Sequence, residues 1–209
     1  MEEMYMREAL KEAKKSYEKD EVPVGAIIVK DGKIIARAHN LKESKKSAIH
    51  HAEILAIDKA SKKIGAWRLS ECEMYVTLEP CPMCAGAIIQ SRLKKVYIGT
   101  MDYKTGACGS VFNMFEDYTF NHKVEYETGI LKEECEKILQ DFFKYLRKKK
   151  SEIHIIWRCI EVVITRLSRK QLVKVDLARG FESHHLRQKK YTKEIRRQYN
   201  WEKTIRKKK

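Results

Sequence analysis

The order of elements written into this chain predicts an α/β protein of three layers, α/β/α, around a central mixed sheet of about five strands. Three observations carry that expectation. Apolar residues recur at helical spacing in four segments, short apolar runs of strand length alternate with them, and an Asp31-Gly32 pair separates the first two runs.

Met4 to Lys19 places Met6, Leu10, Ala13 and Tyr17 on one helical face, and Pro23 ends any helix there. Val24 to Lys30 and Lys33 to His39 flank the Asp-Gly turn and read as an antiparallel hairpin. His51 to Lys63 is helical through Ile54, Leu55, Ile57 and Ala60, with Ile64 continuing the series. Glu73 to Leu78 alternates like a strand, and Pro82 to Arg92 is helical again. Lys95 to Gly99 and Lys123 to Thr128 supply two more strands, and Lys132 to Arg147 closes the domain as an amphipathic helix. The pattern changes after Lys148-Lys149-Lys150, which sets a boundary near residue 150.

At 209 residues and 43% hydrophobic content the chain supports one core with an appendage. No apolar stretch reaches the roughly 18 residues of a membrane span, and the N-terminus lacks the basic flank and apolar run of a signal peptide. A cytoplasmic protein is expected, with its six cysteines as thiols or metal ligands. The net charge of +15 is unevenly distributed. Residues 148–209 hold 20 Lys and Arg against 6 acidic residues, whereas residues 1–147 hold 24 against 23. The charge excess therefore describes the tail more than the domain.

Two motifs carry chemistry: His51-Ala52-Glu53 opening one helix and Pro80-Cys81-Pro82-Met83-Cys84 opening the next. Cysteines three apart on a first helical turn point the same way, at the helix end that favours thiolates. Two thiolates and one imidazole suit zinc, and three protein ligands leave a fourth position for water, as a catalytic site requires. Two thiolates also neutralise the ion's charge, so a protein base is wanted. Glu53 is placed for that role, taking a proton from water and returning it to a ring nitrogen and to departing ammonia. Alone, the Cys-x-x-Cys spacing also fits a structural zinc knuckle or a redox pair. His-Ala-Glu upstream favours hydrolytic deamination. Closure by a fourth ligand would fall to His50, Cys72 or Cys108; His50 reads better as a neighbour of the site.

Glu21-Val-Pro-Val-Gly-Ala26, His39-Asn40, His51-Ala-Glu-Ile54, Trp67-Arg-Leu69, Tyr75 through Ala87, Asp102-Tyr-Lys-Thr-Gly106, Asn121-His122 and Asp141-Phe-Phe143 together resemble the TadA-type tRNA adenosine deaminases of bacteria, in order and spacing, over about residues 1–148. The resemblance implies a cytidine-deaminase-like fold, a homodimer, and zinc-dependent conversion of the wobble adenosine of an arginine tRNA anticodon to inosine. It makes His51, Cys81 and Cys84 the zinc ligands and Glu53 the proton shuttle. Asn40 would contact the flipped nucleoside, and Asp102, Lys104, Thr105, Phe142 and Phe143 would line the groove for the anticodon stem-loop. The plainer roles are a core position for Phe142 and Phe143 and a turn cap for Asp102. His50 departs from the family pattern, which carries a small residue there. The rival functions are deamination of a free base or nucleoside, such as guanine or cytosine, and a non-catalytic zinc-stabilised RNA-binding module.

The tail matches nothing in that pattern, and its residues back-translate into tRNA-gene elements. Arg179 to His184 can be written CGT GGG TTC GAA TCC CAC, the stem, loop and stem of a T arm. His185 to Gln188 can supply an acceptor strand followed by CCA, whose complement fits the codons of Trp157-Arg158-Cys159. Leu167 to Gln171 can supply an anticodon arm with the serine triplet CGA. Four matches in order and spacing point to a reading frame that runs into a neighbouring serine tRNA gene, making residues 151–209 a basic, poorly packed extension. The rival is a selected RNA-binding tail acting through phosphate contacts.

Overall fold

A computed structural model describes residues 1–117 and 119–166, with side chains to residue 157. The chain divides into two compact units, Met1–Glu152 and Ile153–Lys209. The first contains α1 (Glu2–Tyr17), β1 (Gly25–Lys30), β2 (Lys33–His39), α2 (Lys42–Lys45), α3 (Ala52–Ile64), β3 (Cys72–Leu78), α4 (Pro82–Gln90), β4 (Lys95–Thr100), β5 (Glu125–Thr128) and most of α5 (Lys132–Arg166).

The strands form one mixed sheet in the order β2-β1-β3-β4-β5. β1 pairs antiparallel with β2 and with β3, whereas the β3–β4 and β4–β5 pairs are parallel. The hairpin turn takes positive φ at Asp31 and Gly32, the geometry an Asp-Gly pair permits. Alternation along the strands sends side chains to two cores. Ile27, Val29, Tyr75 and Tyr97 face α1 (Tyr5, Met6, Ala9, Leu10) and Cys135 of α5. Ile28, Met74, Val76, Val96 and Ile98 face α3 (Ala52, Ala56, Ala60) and α4 (Ala85, Ile88, Ile89). These two cores make the three layers expected from the sequence. Gly25 is where α1 approaches the sheet most closely: a Cβ there would collide with the Ala9 carbonyl and the Ala13 amide.

The structure differs from the sequence expectation in three places. A short helix, α2, interrupts the loop after β2, held by a side chain remote in sequence (below). Phe142, expected to line a groove, is only 1% exposed. It lies on the apolar face of α5, edge-on to Tyr17 at 5.4 Å and to Phe143 at 5.6 Å, so it is a core residue that presents no surface to a ligand. Finally, α5 continues past the expected end at Arg147 to Arg166. Its first half is fixed by Cys135 and Ile138 in the core, by Arg7 donating to both carboxylate oxygens of Glu134 at 2.7 and 2.9 Å, and by Lys149 donating to Asp20 at 2.8 Å. Beyond Lys149 no Gly or Pro stops the helix before Arg166, while Ile155, Ile156 and Trp157 stay exposed. Residues 151–166, expected to be poorly structured, are thus helical; the rest of that expectation concerns 167–209, outside the described residues. No helix among the described residues is long and apolar enough to cross a membrane.

Candidate active site

Parallel β3 and β4 deliver their C-terminal ends, and the loops that follow, to one edge of the sheet, the usual location of ligand sites in α/β folds. β3 runs through Glu79-Pro80 into α4, whose N-cap residue is Cys81 and whose first helical residue is Pro82. Proline fits there because that amide would have no helical partner and its φ is already set. The N-cap residue of α3 is His51. Two helix starts therefore converge, and three ligand atoms meet between them. His51 Nδ1 lies 3.7 Å from Cys81 Sγ and 3.6 Å from Cys84 Sγ. All three atoms lie within 4.8 Å of one another. A tetrahedral zinc ion with Zn–S near 2.3 Å and Zn–N near 2.0–2.1 Å places its nitrogen and sulfur ligands about 3.6 Å apart, so the cluster has the dimensions of a zinc cradle. His50, Cys72 and Cys108 are not members of this group.

Electrostatics divides the two thiols. The hydrogen bond offered by Cys84, then that from His51, outweighs burial and brings Cys81 down to about 4. Cys84 is pushed up, first as the proton donor in that pair and then by its burial. The contact with Cys81 raises His51. The cluster thus holds protons that a divalent cation would displace, as thiolate ligation demands. Glu53, one residue into α3, is 4% exposed, and burial raises its carboxyl. A carboxyl held so, beside the cluster but outside the ligand group, is suited to accept a proton and give it back.

The residues expected on the substrate side are placed as follows. Asn40 follows β2 and is buried; its main-chain N–H donates to the Val24 carbonyl at 3.0 Å and its main-chain carbonyl accepts from Ser16 Oγ at 3.1 Å. Asp102 opens the loop after β4. Its carboxylate accepts from the Lys104 amide at 3.0 Å and from Thr105 Oγ1 at 2.6 Å. Asp102 therefore caps its own turn, and Tyr103, Lys104 and Thr105 are held outward and exposed. Phe143, 43% exposed, remains available on α5. His50 keeps a buried Nδ1 without a hydrogen-bond partner among the described residues.

Glu21 and Glu79 lie inside motifs that carry the resemblance, but their roles as buried acceptors are visible only in the structure. Glu21 accepts from the amides of Glu43 at 3.0 Å and Ser44 at 2.6 Å, fixing α2 between Asn40 and His51. Glu79 accepts from the amides of Asp102 at 2.8 Å, Cys108 at 2.8 Å and Ser110 at 3.1 Å. In both cases the partners lie more than twenty residues downstream, and nothing in the adjoining sequence marks them.

Residues 1–147 match the family model of the MafB19-like deaminases. A tRNA-specific adenosine deaminase of Bacillus subtilis (strain 168) is 55% identical over 148 residues, 71% of this chain and 92% of that protein. One from Aquifex aeolicus (strain VF5) is 49% identical over 145 residues, 69% of this chain and 95% of that protein. Among solved structures, one from work on A-to-I editing by tRNA:A34 deaminases at the wobble position of transfer RNA is similar with a TM-score of 0.63 and 40% identity, over 65% of this chain and 99% of that one.

Proposed function

Because the chain belongs to the MafB19-like deaminases and to the tRNA-specific adenosine deaminases, we propose that it hydrolyses adenosine to inosine at the wobble position of a tRNA anticodon, an arginine tRNA by resemblance, releasing ammonia. The observation that carries the chemistry is the His51, Cys81 and Cys84 cluster at zinc dimensions with Glu53 buried beside it. Zinc held by His51, Cys81 and Cys84 would supply a Lewis acid and acidify the attacking water. Glu53 takes one proton from the attacking water and delivers it to the ring nitrogen as the C–O bond forms; it then carries the hydroxyl proton of the tetrahedral adduct to the exocyclic amine, which leaves as ammonia as the C–N bond breaks and the carbonyl forms. Asn40 orients the flipped nucleoside, while Lys104, Thr105 and Phe143 face the anticodon loop.

With charges nearly balanced in residues 1–147, affinity rests on shape and stacking more than on bulk charge. Anticodon stem-loop and free nucleosides or guanine, compared at equal concentration, separate this reading from the free-base one. The expected kcat/KM is at least about 100-fold higher for the stem-loop. Faster release of ammonia from a free base or nucleoside would support the rival, and tRNA binding without ammonia would support the non-catalytic module.

The proposed working state is a cytoplasmic homodimer of the deaminase domain, which widens the groove available to an anticodon loop. The extension takes no part in catalysis. The family match ends at residue 147, before the extension of residues 151–209, which supports that assignment. A chain ending after Lys150 is therefore expected to scatter light as a dimer and to keep its deamination rate within about two-fold at physiological salt. A fully active monomer would contradict the dimer, and a large loss of activity would show that the tail acts on RNA. The nucleotide sequence of codons 157 to 188 tests the tail's origin, since a sequence unable to fold as a cloverleaf removes the read-through explanation.

A further inference from the structure

Glu79 is 3% exposed, yet it carries no assigned role in the chemistry. It accepts hydrogen bonds from the amides of Asp102, Cys108 and Ser110, which bracket the 102–110 segment at the start of the connection after β4. The main chain reinforces the join: the Glu79 amide donates to the Thr100 carbonyl at 2.8 Å and the Ala107 amide donates to the Pro80 carbonyl at 3.0 Å. Ser110 Oγ closes the loop on the Asp102 carbonyl at 2.7 Å. Gly106 lies against the carboxylate so closely that a Cβ there would collide with it and with Ser110 Oγ. A buried acceptor with three donors stores a specific loop shape, because no two-donor or one-oxygen substitute satisfies all three amides.

We infer that Glu79 is a positioning residue for tRNA recognition, templating the 102–110 loop so that Tyr103, Lys104 and Thr105 are presented to the anticodon in a fixed shape. The inference rests on the reading that this loop faces RNA. The link is direct. The Asp102 amide is held by Glu79 Oε2, and the Asp102 carboxylate in turn holds the Lys104 amide and the Thr105 hydroxyl. Tyr103 is 78% exposed, an aromatic face on a loop that is otherwise pinned, which suits it to stack on an unpaired base.

Glu79→Gln isolates the effect. Its single carbonyl oxygen can keep the Cys108 and Ser110 amides, but its NH2 group then meets the Asp102 N–H donor to donor; the flipped amide does worse. In the full-length chain, the expected result is about a ten-fold or larger rise in KM for an anticodon stem-loop, with zinc still near one per chain. The turnover at saturation stays within about two-fold, a split that general destabilisation does not produce. Hydrogen exchange supplies the second measurement. In the unaltered protein the Asp102, Cys108 and Ser110 amides should be protected, and Glu79→Gln should accelerate Asp102.

Lys104→Ala keeps the Glu79 frame and tests the RNA-facing reading by itself. If Lys104→Ala raises KM and Glu79→Gln does not, the positioning role is overturned and the reading survives. If Asp102 exchange accelerates while neither variant changes KM, the loop does not face RNA, and the positioning role falls with it. Fast exchange of the three amides in the unaltered protein overturns the inference without any variant having to fold.

Discussion

Glu53→Ala is expected to lower deamination of an anticodon stem-loop by about 10³-fold or more while leaving about one zinc per chain, because the role proposed for the side chain is to move the proton and not to hold the ion. The separation follows from geometry. The three ligand atoms of His51, Cys81 and Cys84 close on one another without Glu53, which is buried one residue into α3 beside them. Metal analysis by mass spectrometry, run on the same sample as an ammonia assay, gives both quantities. A variant that loses its zinc together with its activity would make Glu53 a ligand and remove its assignment as the proton carrier.

Cys84→Ala has the opposite profile: zinc falls towards zero and activity falls with it. A histidine and one cysteine remain, too few protein ligands for a tetrahedral site. Zinc near one per chain in Cys84→Ala would contradict the ligand assignment, with His50 or Cys108 the residues to examine as replacements.

The legible part of the site was the part encoded locally. Pro82 after Cys81, and Ala52-Glu53 after His51, mark helix starts within a few residues, and a helix start fixes where its first-turn side chains point. The five strands were legible for the same reason, since their alternation is set by which face each residue buries. Glu79 and Glu21 were not, because a carboxylate's amide partners come from loops remote in sequence and amides leave no trace in the amino-acid code. Phe142 and Phe143 are adjacent and identical in type, and only the helical phase of α5 against Tyr17 makes the first core and the second surface. The continuation of α5 was not legible because the apolar residues between Glu152 and Thr165 follow no clean helical period, although no Gly or Pro there breaks a helix.

Sequencing tRNA after incubation with the full-length chain reads the wobble-position activity itself. Reverse transcription reads inosine as guanosine, so the expected result is an A-to-G change confined to the wobble position, one ammonia per event, and no change after the zinc is chelated. A zinc-loaded protein that leaves the wobble adenosine intact, or that converts adenosines elsewhere in the tRNA, would contradict it.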